Sequence, residues 1–180
     1  MGDYELGDDS PKNSRRWSKR VEESRRGLES LRPTSTHFDP LRRLFQLDLT
    51  VAPADIDDLG HVNNIVYLRW VNDVAIAHWK TLGAAPDVAR LGWVVTRHEL
   101  DYKAAAFLGD ALTGRTWIGA TTAVTCERFV EIRRARDDRL LVASRSIWVA
   151  VDRTTGKPKR IEESVLAPLR ANGPTDRKTD

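Results

Sequence analysis

From Val62 to about Leu82 the chain runs without a Gly or a Pro, and the whole run reads as helix. Its polar positions Arg69, Asn72, Asp73 and Lys80 fall near one stripe. Ile65, Val66, Leu68, Trp70, Val71, Val74, Ala75, Ile76 and Trp79 cover most of the remaining circumference. A helix with one dry face can lie on a surface, but one that is apolar most of the way round must be wrapped on several sides. Whatever the rest of the chain forms has to curl around this element.

The rest reads mainly as strands. Phe45, Leu47, Leu49 and Val51 alternate with Gln46, Asp48 and Thr50, a period of two that marks a half-buried strand. Behind the helix, Gly83 to Pro86 is a breaker cluster, a short turn follows around Asp87 to Arg90, and Trp93 to Tyr102 resumes a strand pattern. Gly109-Asp110 marks the next turn. Leu112 to Gly119, Val124 to Arg134 and Leu140 to Val151 read as three more strands, the last two joined across Asp137-Asp138 as a hairpin. Asp152 to Pro158 turns the chain, and Glu162 to Leu169 carries a short helical pattern. The order strand, long helix, four strands gives an α+β fold: an antiparallel five-stranded sheet wrapped around a long central helix. No internal repeat, Gly-rich nucleotide loop or P-loop lysine is present.

The 180 residues suffice for one domain plus an extension, and 41% hydrophobic content supports a buried core. A lone cysteine, Cys126, excludes an internal disulfide; its place in an alternating strand suits a small buried hydrophobe. No stretch approaches the roughly 20 apolar residues of a membrane span, and the polar N-terminus lacks a secretory signal, so the expectation is a cytoplasmic protein. The net charge of +3 is unevenly spread. Lys12, Arg15, Arg16, Lys19, Arg20, Arg25, Arg26 and Arg32 stand against Glu22, Glu23 and Glu29, ahead of the first strand signal. Residues 1–40 are therefore read as a basic N-terminal extension, disordered or loosely helical over 15–31, ending in a linker from Pro33 to Pro40. A solvated face is the default for such a run, and no nucleic-acid partner is expected. The domain proper is 41–172, followed by a polar tail, 173–180.

Directly ahead of the helix stands Asp55-Ile56-Asp57-Asp58-Leu59-Gly60-His61-Val62-Asn63-Asn64. Asp55-x-Asp57-x-x-Gly60 starts like an EF-hand, but Leu59 and Val66 occupy ligand positions, the second of which needs a Glu. No second His or Cys cluster follows at zinc spacing, so no metal site is expected. There is no Gly-x-Ser-x-Gly, and His37, His78 and His98 lie near no nucleophile pattern. What remains is a carboxylate beside a helix N-terminus, where dipole and N–H donors keep it ionised and able to attack a carbonyl or deprotonate a water. The same N–H groups could hold a developing oxyanion. The structural alternative is that Asp55 and Asp58 form an Asx turn, Asn63 or Asn64 caps the helix, Gly60 takes positive φ and His61 is a satisfied loop histidine. The residues by themselves leave both readings open.

The run from Asp55 through Tyr67 closely resembles the Asp-x-Asp-x-x-Gly-His-Val-Asn-Asn-x-x-Tyr pattern of the 4-hydroxybenzoyl-CoA thioesterase-like acyl-CoA thioesterases. Leu100-Asp101-Tyr102, Gly109-Asp110 and the turn Val151-Asp152 through Pro158 extend the similarity to roughly residues 43 to 170. The resemblance implies a hot-dog fold, homodimers or homotetramers, and an acyl-CoA site at the subunit interface. By position it assigns the catalytic carboxylate to Asp57, with Gly60, His61, Val62, Asn63 and Asn64 along the thioester and Tyr67 also binding substrate; Asp55 is structural. No cofactor is implied. The chain departs from the pattern at Pro53-Ala54, at Lys103-Ala104-Ala105-Ala106 and at Ile161-Glu162-Glu163. The function expected is hydrolysis of an acyl-CoA to a carboxylic acid and coenzyme A, Asp57 acting as nucleophile or general base. Acyl carrier protein, which the basic extension could contact, is the alternative thiol carrier, and a non-catalytic acyl-thioester or partner-binding domain is the alternative class.

Overall fold

The apolar run folds as α1, Asn64–Lys80, in a computed structural model that describes residues 36–39, 44–83 and 85–171. The helix begins two residues later than the apolar run because Asn63 is its cap: the Asn63 side chain accepts the Ile65 N–H. Around it stand β1 (Thr36–Asp39), β2 (Leu44–Thr50), β3 (Leu91–Tyr102), β4 (Ala111–Thr121), β5 (Thr125–Arg134) and β6 (Arg139–Asp152), with short helices α2 (Pro86–Arg90) and α3 (Glu163–Arg170). The sheet order is β1-β2-β4-β5-β6-β3, antiparallel throughout. This is the α+β hot-dog arrangement expected, with the five strands read from the sequence present as β2 to β6.

The sixth strand corrects the sequence reading. Thr36–Asp39 pairs with β2 in register Thr36↔Leu47 to Asp39↔Leu44, inside the stretch taken for a linker. Edge pairing is made by backbone groups and needs no alternating side-chain pattern to announce it. The domain thus starts before residue 41, and the chain divides after Pro33. The basic extension through Pro33 and the tail 173–180 lie outside the described residues. The turn expected around Asp87 to Arg90 is one short helix, α2.

The core follows from strand alternation. Phe45 and Leu47 of β2, Leu112 of β4, Val130 and Ile132 of β5 and Val142 of β6 close on Val66, Tyr67, Trp70, Val71 and Val74 of α1. Each such side chain, fully buried, contributes roughly 1.5–3 kcal/mol of transfer free energy. Helix and sheet approach closely at Gly114, where an added Cβ would stand 2.3 Å from Val74 Cγ2. A second cluster joins Leu91, Ile118, Cys126 and Ala150 to Val165, Leu166 and Leu169 of α3, with Trp79 and Trp93 against it. The sheet does not enclose α1: Ile65 is exposed, and Leu68, Asn72 and Ile76 are only half-buried. Among the described residues no helix is long and apolar enough to cross a membrane.

Candidate active site

The loop between β2 and α1 is a closed miniature hairpin. Asp57 N–H donates to His61 O and Asn63 N–H to Asp55 O, both at 2.9 Å, and Gly60 N–H returns to Asp57 O at 3.0 Å. Gly60 makes the reversal at φ +78°, a conformation that costs a side-chain-bearing residue a steric penalty. Val62 N–H bonds Ala106 O at 3.0 Å, pinning the loop to the segment behind β3.

Two carboxylates at either end of this hairpin have opposite surroundings. Asp55 is buried, one oxygen accepting the Ala52 N–H at 2.9 Å and the other Arg69 Nη2 at 2.5 Å. It locks the loop entrance onto the second turn of α1, which fits the structural role implied for it. Asp57 keeps its side chain 23% exposed. Its Oδ1 accepts the Leu59 N–H at 3.0 Å, so the Asx turn belongs to Asp57 and not to Asp55 or Asp58, and His61 Nδ1 stands 3.5 Å from the same oxygen. Oδ2 accepts nothing among the described residues. One oxygen is tethered and the other is presented.

The expected substrate-binding residues divide. Gly60, His61, Asn63 and Asn64 sit on the open side of the loop or at the helix start. Val62 and Tyr67 do not: both are buried. The Tyr67 hydroxyl accepts the Ala106 N–H at 2.8 Å, so Tyr67 is an internal strut under the 103–110 segment and presents nothing to a ligand; burial has raised its pKa. The helix-end donors are also fewer than the sequence suggested. The Ile65 and Val66 N–H groups are taken by the side chain and carbonyl of Asn63. Among the described residues the N–H groups of Asp58, His61 and Asn64 have no acceptor, which leaves three donors on the loop and the helix start.

Several residues at the site were given no role there by the sequence. Tyr102 donates to Asn64 O at 3.2 Å, and Phe107 and Leu108 follow the Ala106 that holds Val62. With Leu59 and Ile65 they make five of the six exposed large apolar side chains among the described residues, between 48% and 80% exposed; the sixth is Val94 on β3. An apolar rim of this kind around a polar loop marks a place where something apolar docks. Arg69, the lock on Asp55, had a signal: it interrupts an apolar run one turn below the exposed Ile65. Among the described residues no three His, Cys, Asp or Glu side chains gather as a metal site requires.

The family model of the thioesterase-like superfamily matches residues 51–169. No curated protein matches in sequence. Among solved structures, a 1,4-dihydroxy-2-naphthoyl-CoA thioesterase from Synechocystis is 18% identical, covering 70% of this chain and 95% of its own, with TM-score 0.62. A Staphylococcus aureus protein solved in complex with CoA is 19% identical over 79% and 91%, TM-score 0.66. A thioesterase from Thermus thermophilus, complexed with coenzyme A and Zn, is 21% identical over 74% and 96%, TM-score 0.63. These likenesses bear on the fold.

Proposed function

We propose an acyl-CoA thioesterase, from the premise that this chain belongs to the thioesterase-like superfamily and is a thioester hydrolase. The observation that carries the finer reading is Asp57: a carboxylate with one oxygen held by Leu59 N–H and the other presented, inside an apolar rim, beside a helix N-terminus. The thioester carbonyl would lie over Oδ2, its oxygen toward the free N–H groups of His61 and Asn64, which gain strength as negative charge develops there. Asp57 either attacks the carbonyl carbon directly or takes a proton from the attacking water. In both routes the carbon–sulfur bond breaks, the sulfur leaves as coenzyme A thiol, and water supplies the new oxygen of the acid. Coenzyme A, present in the Staphylococcus and Thermus structures, is favoured over a carrier protein as the thiol. Purified protein tested against short, medium, long and aromatic acyl-CoAs and an acyl carrier protein thioester should release thiol from at least one acyl-CoA. No release across the panel contradicts the proposal.

The site is proposed to be completed by a second copy. Among the described residues β3 ends the sheet with its outer edge unpaired, 12 residues long and carrying exposed Val94. Beside it runs the half-exposed face of α1. The Tyr102 end of β3 stands next to the start of α1, and its Trp93 end packs on Trp79 near the helix end. Two-fold antiparallel pairing of this edge with itself would set the Asp57 loop of one copy against the Trp93 end of the other. Light scattering at micromolar concentration should give at least a dimer; an active monomer contradicts this.

A further inference from the structure

Between α1 and the β3–β6–β5 side of the sheet lies a cavity of about 280 Å³ whose walls include Ile76, Trp79, Trp93, Cys126, Arg128 and Trp148. At roughly 30 Å³ for an atom the size of water, it has room for about nine non-hydrogen atoms. Three indoles give it flat apolar walls. Cys126, its thiol pKa raised to about 11 by burial, adds a small neutral wall and no nucleophile.

The anomaly is Arg128. It sits on the inward side of β5 in the same row as Cys126, Val130 and Ile132, and it is buried. Its Nη1 donates to Thr116 Oγ1 at 3.0 Å and to His78 Nδ1 at 3.1 Å. A guanidinium has no acceptor, so His78 Nδ1 is the unprotonated nitrogen, and both partners are neutral. Burial lowers the Arg128 pKa to about 10 and the His78 pKa to about 3, which leaves the first charged and the second uncharged at neutral pH. Among the described residues no carboxylate pairs with Arg128, and none lines the cavity. A buried charge without a counter-charge is costly, and five donors on one planar fork are only partly used. Trp93 Nε1, in the same wall, is a buried donor without a partner among the described residues. Among the described residues the cavity thus offers this fork no anion with paired acceptor oxygens.

We infer that this cavity takes the acyl group of the substrate and that Arg128 reads a carboxylate at its far end, so the preferred substrate is a coenzyme A thioester of a dicarboxylic acid with a chain of about six carbons. This rests on the acyl-CoA reading above and on the two-fold pairing proposed with it: within one copy Asn72, Ala75, Ile76 and Trp79 of the cavity wall lie about 12 Å or more along α1 from the Asp57 loop, whereas the pairing sets the Asp57 loop of a second copy at the Trp93 end of the cavity. Carboxylate and guanidinium match as a two-toothed pair, and the indoles flank the methylenes between that end and the thioester. A plain fatty acyl group of equal length would leave the guanidinium buried and unpaired, which is the stronger part of the discrimination.

The test is calorimetric binding of two non-hydrolysable thioethers, S-(5-carboxypentyl)-CoA and S-hexyl-CoA, to the full chain. Wild type should bind the carboxylated probe about tenfold or more tightly than the alkyl one, the usual size of a charge-assisted hydrogen bond. Arg128→Met should abolish that preference while melting no lower than wild type, because it removes an uncompensated buried charge. Arg128→Lys, which keeps the charge and loses the fork, should restore part of the preference and serves if the Met variant does not fold. Equal affinity of wild type for the two probes, binding of neither, or a preference that survives Arg128→Met overturns the inference. Hydrolysis measured on the same preparation separates it from the reading beneath: turnover of hexanoyl-CoA without a carboxylate preference overturns only the inference. A carboxylate preference without turnover of any thioester supports the cavity's role and overturns the hydrolase mechanism.

Discussion

The two ends of α1 each hold an imidazole, and the chain uses them in opposite ways. At the start His61 is half-exposed on a tight polar loop, 3.5 Å from a carboxylate that keeps one oxygen free. At the end His78 is fully buried, stacked on Phe45 with ring centroids 4.9 Å apart and hydrogen-bonded to Arg128. The first belongs to a surface whose polar groups are only partly satisfied among themselves. The second belongs to a core network that holds its imidazole neutral. Residue type did not decide the difference; position did, one ring standing on the open loop ahead of the helix and the other on the helix face under the sheet. The proposed chemistry sits where the sheet leaves the helix uncovered.

That contrast can be broken by stability measurements, since the entrance of the loop should be rigid and its open side should not. The largest effect falls on Asp55. Asp55→Ala leaves the Ala52 N–H and the Arg69 guanidinium without their acceptor, and the fold should lose about 2 kcal/mol in denaturant unfolding, part of the Arg69 loss being recovered by water. A change under about 0.5 kcal/mol would mean that Asp55 is not the lock described.

His78 gives a smaller, pH-shaped effect. Its folded pKa of about 3 lies below the ordinary value of 6.5, so below pH 6.5 the unfolded chain takes up a proton that the folded chain refuses. Stability carried by the neutral ring is therefore present above 6.5 and lost as pH falls from there toward 3. Between pH 7 and 5.5 the loss should be about 1 kcal/mol, and His78→Gln should flatten that slope whatever it does to absolute stability. An unchanged slope in the variant would remove His78 from the account. Asn63→Ala, which deletes the cap of α1 at an exposed site, should cost roughly 0.5–1 kcal/mol in the same assay; no loss would show that the Ile65 N–H is satisfied by water instead.

Much of this was legible in the sequence, for reasons that differ by residue. The helix and strands β2 to β6 declare themselves because an apolar face must repeat with the period of its backbone. The Asp57 loop was found because a carboxylate, a glycine and two amides before a helix cap form a dense local pattern. β1 carried no such pattern, since it is four residues long and its pairing with β2 is a backbone matter that no side-chain period announces. Tyr67 was misplaced because the motif gives its spacing but not the side of α1 it faces. Arg128 was in view but unread: strand parity places it with Cys126, Val130 and Ile132, and a charged residue in an inward row is the signal that could have found the cavity.

The central claim is that Asp57, and not its buried neighbour, is the reacting carboxylate. It is tested most directly by measuring kcat for Asp57→Asn and Asp55→Asn beside wild type on whichever acyl-CoA the panel selects, with thermal unfolding of each. The account predicts that Asp57→Asn loses about 10²- to 10⁴-fold in kcat at unchanged melting temperature and a nearly constant KM. Asp55→Asn should instead melt lower and keep most of its kcat. Near-normal kcat in Asp57→Asn, or the larger loss in Asp55→Asn, would contradict it.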